Sequence, residues 1–356
     1  MGADRIVIQR FNNIVTRGML VPGLCPAVDP DRLPDWIRSD HLLAAQAAIH
    51  SHIGSLSFAS LSGLLIILQT PFGFDPMIQT GRSATVAKLF IRYLDTLTHF
   101  KSWYTTDLLD PNSDGNKSIR RVRVMHANAM KKMETVPCRL QDMVWMSQSV
   151  MSMTQWAFVG LVFAFPKECG IHEESVLVDI NYLWRVIGYL NGIEDQYNMC
   201  FADVRHTISM CNLMFRKFFL PILGSKSGVS ELGYEMRLDI VTSLQSVTGG
   251  ASGKVFLNYW YTVFGMESDQ MPQLLFRDQI MLRSQKLAMN FLFRYRFIRL
   301  GFGMMTDKVI SWYHENRIQH YNYLRKAYPE AKYSTQKVEE IRQKCPFDFA
   351  EYFKLF

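Results

Sequence analysis

Apolar residues recur along this chain at the three- and four-residue spacing of helices, while alternating runs closed by Asn-Gly or Asp-Gly turns are scarce. The pattern predicts an all-α fold. Pro22, Pro26, Pro30 and Pro34 make the first forty residues an extended, loop-rich lead-in. A helix then starts after Ser39 or Asp40, whose side chains can cap free backbone N–H groups. The run Ile53 to Leu68 is shorter than the ~20 apolar residues of a spanning helix. Serines and glycines interrupt it, so it reads as a buried core helix, and no transmembrane segment is expected.

Further helices are expected from Thr80–Ser83 to about His99, from about Ser118 to Pro137, and from about Leu140 to Phe165. Others follow from Glu173 or Glu174 to Asn191, Asp203 to Phe219, Tyr234 to Leu244, Gly253 to Gly265 and Arg277 to Phe302. Asp107 to Lys117, DLLDPNSDGNK, is a loop by its Pro, Gly, Asn and Asp content. The tail after Met305 is more polar and tyrosine-rich, and reads as a covering lobe whose last aromatics, Phe347 to Phe356, dock on the body. With no Gly/Ser linker, low-complexity tract or solenoid-length repeat, residues 1–356 are expected to form one domain.

The formal charge of +7 is thinly spread, and its densest cluster, Lys117 to Arg123, is too short for a nucleic-acid stripe. Such a balance suits peripheral contact with acidic membrane surfaces, and ordinary solubility explains it equally well. The six cysteines are far apart, without CxxC or zinc-ligand spacing, and the first residues carry charges where a secretory hydrophobic run would lie. Reduced thiols in a cytoplasmic protein are the expectation. No GxGxxG after a strand, P-loop, HExxH or GxSxG is present, so nucleotide-dependent, zincin and serine-hydrolase readings drop out.

Four constellations remain. On the helix IRRVRVMHANAMKKM, Val122, His126, Ala129, Met130 and Met133 share a stripe, with Lys131 and Lys132 toward the other side. A lone histidine on an apolar face is more often a satisfied core residue than a ligand. A haem pocket would nevertheless need this arrangement. Arg92 and Thr96 are one turn apart among apolar neighbours; the arginine could snorkel, pair with Asp95, or donate toward developing negative charge. Leu140, Met143, Met146, Val150 and Met153 form a methionine-rich stripe, read as core, although methionine also suits an adaptable substrate wall. Tyr182 to Tyr197 is aromatic enough to pack on other helices or a cofactor, and its adjacent Glu194 and Asp195 read as cap or loop residues.

Three segments together resemble the latex-clearing protein (rubber oxygenase)/mpaB-type oxygenase family: TGRSATVAKLFIRYLDT (Thr80 to Thr96), IRRVRVMHA (Ile119 to Ala127) and YLWRVIGYLNGIED (Tyr182 to Asp195). The likeness spans roughly Leu42 to Phe219 and rests on the order and spacing of the motifs. It implies a globin-like helical core holding one haem b, with His126 as the iron ligand and Arg123 near a haem propionate. Arg92 and Thr96 would lie on the dioxygen side. The implied reaction is dioxygen-dependent cleavage or oxidation of a carbon–carbon double bond in an apolar, isoprenoid or terpenoid substrate. Asp95 stands where the family pattern has a basic residue, and the family's acidic base has only Asp75 as a nearby counterpart. The alternative is a non-catalytic haem or lipophile binder on the same fold.

Overall fold

The computed structural model describes residues 2–24, 29, 31–136, 144–223, 228–266 and 272–336. It is helical throughout, with one isolated bridge between Pro22 and Ser147 and no strand among the described residues. In chain order the α-helices are α1 (Gly2–Val15), α2 (Ser39–Ile49), α3 (Ile53–Ile67), α4 (Pro71–Gln79) and α5 (Val86–Thr105). They continue with α6 (Asp114–Met133), α7 (Gln148–Ala164), α8 (Glu174–Leu190), α9 (Val204–Met214) and the single turn α10 (Leu220–Leu223). The last are α11 (Gly228–Ser243), α12 (Gly253–Val263), α13 (Phe276–Asn290), α14 (Arg296–Glu315) and α15 (Arg317–Ala327).

The centre of the fold is α3 lying against α7. A Cβ on Gly63 would run into the Ala157 carbonyl, and the Ser60 hydroxyl donates to the Phe158 carbonyl at 2.9 Å. This close approach explains Ser60 and Gly63, which lie where α3 meets α7. By length and composition the helical run Ser39–Ile67 could cross a membrane, yet 72% of its most apolar window is buried inside the fold. Around this pair one hydrophobic cluster extends from Val7 to Tyr333. A π turn, Phe215–Phe219, joins α9 to α10 and sets Phe219 on Trp156 at 4.0 Å between ring centroids.

Several boundaries differ from the sequence expectation. Residues 2–15, expected within the extended lead-in, are helical because Val7, Phe11, Ile14 and Val15 make a buried stripe that the downstream prolines do not disturb. The segment Pro71–Gln79 is a helix of its own, capped by Thr70, with proline in its first turn. Helix α7 begins at Gln148 rather than near Leu140, with the Ser147 hydroxyl accepting from the Val150 N–H. Positions 137–143, which hold Leu140 and Met143, lie outside the described residues, as do 337–356 with the aromatic tail.

Arg277 to Phe302, expected as one helix, is two helices meeting at a 3-10 elbow, Leu292–Arg294. The tail beyond Met305 does cover the body: Lys101 of α5 pairs with Asp307 at 2.6 Å and donates to Ser311 at 2.9 Å, and Phe90 meets His320 at 4.6 Å. Cys169, Cys200 and Cys211 are buried free thiols.

Candidate functional site: an apolar cavity between helices α5 and α6

Thr85 caps α5, its hydroxyl accepting the Lys88 N–H at 3.2 Å, and Ser113 caps α6 by accepting the Asn116 N–H at 3.0 Å. With both starts fixed, the faces of the two helices follow from their sequences. On α5, Arg92, Thr96, His99 and Trp103 recur at spacings of four, three and four; on α6, Val122, His126 and Ala129 keep the same stagger. Both stripes line one cavity of about 530 Å³, closed by residues of α3, α4, α7 and α8. Pockets that hold small molecules and cofactors fall in the range of ~300–1,000 Å³. Its surface is mostly apolar, and Phe100, Phe158 and Trp184 form a packed aromatic wall, with ring centroids 4.5 Å and 5.5 Å apart along that chain.

His126 makes no hydrogen bond to any described residue, and its Nδ1 is buried without a partner. Burial, with repulsion from Arg92 and Arg123, pulls the imidazole down to about 4. At neutral pH the ring is therefore uncharged and keeps a free lone pair. Metal-ligating histidines usually donate their second nitrogen to an acceptor. His126 has none here, so packing alone orients its ring.

Arg92 is the least exposed of the cations that line the site, Arg82 and Lys132 being exposed. Its Nη1 donates to the hydroxyls of Thr80 at 3.2 Å and Ser83 at 3.3 Å, and no carboxylate pairs with it among the described residues. Burial lowers it to about 10, still charged at pH 7. Asp95, the partner suggested by sequence, turns instead to Arg82 at 3.6 Å and Arg317 at 4.0 Å. The Thr96 hydroxyl donates back to the Arg92 carbonyl at 2.9 Å, so it presents acceptor lone pairs rather than a free proton.

The structure thus brings Arg92, Thr96 and His126 to one cavity. Arg123 is placed elsewhere: it is not among the lining residues, and its Nη1 donates to the Leu190 carbonyl at 2.9 Å, at the C-terminus of α8. Asp75 is buried on α4 and does not line the cavity either. Lys132, expected on the far side of its helix, lines the cavity one turn beyond Ala129 and remains exposed. Of the methionine-rich stripe, Met146 and Val150 contribute to the wall while Met153 belongs to the core. Glu194 and Asp195 sit in the turn after α8, where Asp195 pairs with Arg185 at 2.9 Å.

His99 was not singled out from sequence. Its Nδ1 lies 2.7 Å from the Ser118 hydroxyl, which accepts the Trp103 indole N–H at 2.9 Å. Indole only donates, so the Ser118 proton is available to Nδ1, an arrangement that suits a His99 proton on Nε2. Continuing the Arg92–Thr96 spacing by three residues would have found it. Among the described residues no three His, Cys, Asp or Glu side chains converge as a metal cage. Axial ligation of a haem requires one imidazole. Compared with known proteins, the chain matches no family model, no curated protein and no solved structure.

Proposed function

We propose that this chain is a haem b-dependent oxygenase that cleaves or oxidises a carbon–carbon double bond of an apolar, isoprenoid or terpenoid substrate. The observation that carries the reading is a pairing inside one apolar cavity: a neutral, hydrogen-bond-free His126 and a charged Arg92 without a carboxylate. A half-buried cation left with hydroxyl partners alone costs stability, and such groups concentrate where a ligand compensates them. The residues fit the group that the resemblance implies. His126 would offer the iron a neutral nitrogen, and the apolar walls suit a porphyrin.

When bound, the haem supplies the dioxygen chemistry at the double bond. The chain's own residues do the rest. His126 would hold the iron. Arg92 directs cationic N–H donors to where negative charge develops. Thr96 offers lone pairs to a donor on the ligand, and the Phe158–Trp184 wall excludes water and holds the apolar chain in place.

The test is an absorption spectrum of the purified protein beside His126→Ala, followed by exposure of the haem-loaded protein to a terpenoid panel under oxygen. A Soret band lost or shifted in the variant, and carbonyl products, are expected. A colourless protein that refuses added haemin removes the reading. The rival, a haem or lipophile binder without catalysis, draws support from Thr96, whose only proton is already used within its helix. Intact haem spectra with no turnover across the panel would favour that rival.

A further inference from the structure

The elbow between α13 and α14 presents a surface that a water-facing helix pair does not need. Leu275, Phe276, Ile280, Leu287, Phe291, Tyr295 and Phe297 are exposed, Phe276 at 77% and Phe297 at 72%. Single exposed apolar residues are ordinary, but a concentration of large ones marks an interaction site. Exposed Arg277, Arg283, Arg294 and Arg296 are interleaved with them. The one carboxylate between residues 276 and 306, Asp278, is buried and accepts from the Ser252 hydroxyl at 3.0 Å. Between residues 276 and 306, therefore, every exposed charge is basic and stands among exposed aromatics.

The elbow's conformation is held from behind. Arg299, 2% exposed, donates from Nη1 to the carbonyls of Phe293 at 2.7 Å and Arg294 at 3.1 Å, and from Nη2 to Glu173 at 2.7 Å. Phe293 points inward onto Phe302, with 5.1 Å between ring centroids, and His172 Nε2 meets the Met289 carbonyl at 2.7 Å. The buried side of the elbow anchors the backbone, so the outward aromatics are displayed on a rigid support.

We infer that the α13–α14 elbow is a docking surface for an anionic lipid bilayer. Aromatic side chains settle at the headgroup boundary, and each basic residue near an anionic leaflet adds electrostatic attraction. Charge complementarity selects this occupant, because the arginines would repel the same face of a second copy. The observation is independent of His126 and the cavity.

Flotation of the full chain with phosphatidylcholine vesicles, with and without phosphatidylserine, tests it. Binding should require phosphatidylserine and fall as salt rises. Removing two arginines in R294Q/R296Q should weaken it by about 10- to 30-fold, and F291S/F297S should abolish it. The substituted side chains are exposed and lose the Arg294 bond to the Asn290 carbonyl and its contact with Phe291. Circular dichroism should therefore be unchanged, and melting little changed, in both variants. Absence of flotation at low salt, or flotation indifferent to both variants, overturns the inference. So does light scattering that shows a dimer converted to monomer by F291S/F297S, which would give the face to a second copy.

Discussion

Arg92→Met tests the balance of forces in the cavity. The guanidinium is drawn down from its ordinary value to about 10, chiefly by burial. At ~1.36 kcal/mol per unit, the folded state disfavours the charge by roughly 3 kcal/mol. For a base with a depressed folded pKa this cost is fully present at pH 7, where both states are protonated, and is relieved only as pH rises above about 10. The bonds to Thr80 and Ser83, long at 3.2 Å and 3.3 Å, recover part of it, at about 1 kcal/mol each. Methionine fills a similar length without a charge. Ligand-free R92M should therefore gain about 1 kcal/mol in urea unfolding, an unusual sign for deleting a half-buried, hydrogen-bonded group. A loss of more than ~1 kcal/mol would refute the reasoning, because it would mean that Arg92 is compensated in the folded protein and is not held ready for a ligand. The same variant should weaken retention of an anionic or oxygen-bearing ligand, read as a faster off-rate.

Acid should destabilise the ligand-free protein early. His52, His99, His126 and His320 are all depressed by burial, so the unfolded chain takes up protons that the folded chain refuses. Stability should fall as pH drops from about 6.5 toward 4, and His126 alone accounts for roughly 3 kcal/mol of it; His126→Gln should flatten the curve of unfolding midpoint against pH, and an unchanged slope would count against a neutral buried ring. Gly63→Ala should cost about 3 kcal/mol or more, because α3 and α7 must separate at the Ala157 carbonyl; a wild-type melting temperature would show that this approach is looser than described. Ser118→Ala should free His99 Nδ1 and strand the Trp103 indole N–H. Nitrogen chemical shifts should show His99 moving from a single Nε2–H form to a mixture of tautomers, and no change would reject the assignment.

The site was legible to the extent that one helix face carried it. Arg92 and Thr96 one turn apart, and His126 on an apolar stripe, needed only helical spacing. What stood beyond one helix did not show. Asp95 is equally close in sequence to Arg92 and to solvent, and only the folded positions of Arg82 and Arg317 decide its partner. Arg123 lies one turn before His126, yet the C-terminus of α8 supplies a carbonyl that draws it away from the cavity. The break between α13 and α14 carries no Pro or Gly; Arg299, five and six residues on, caps the elbow carbonyls, and the distant Glu173 holds that arginine in place, a partner that helical spacing does not reveal. The first helix was hidden by its neighbours, since four prolines downstream outweighed a correct apolar stripe.

The π turn at Phe215–Phe219 carries a consequence for lineage. A π turn holds one residue more than the α-helix around it needs, and each residue turns a helix face by about 100°. Removing that residue would restore an ordinary helix and leave everything after it on the face it occupies now, because the wider turn absorbs the extra position. A cousin chain without the extra residue would therefore keep the same pattern up to Met214 and show it one step out of phase beyond. The two would align only if a single-position gap were opened inside a helix, where gaps are least expected.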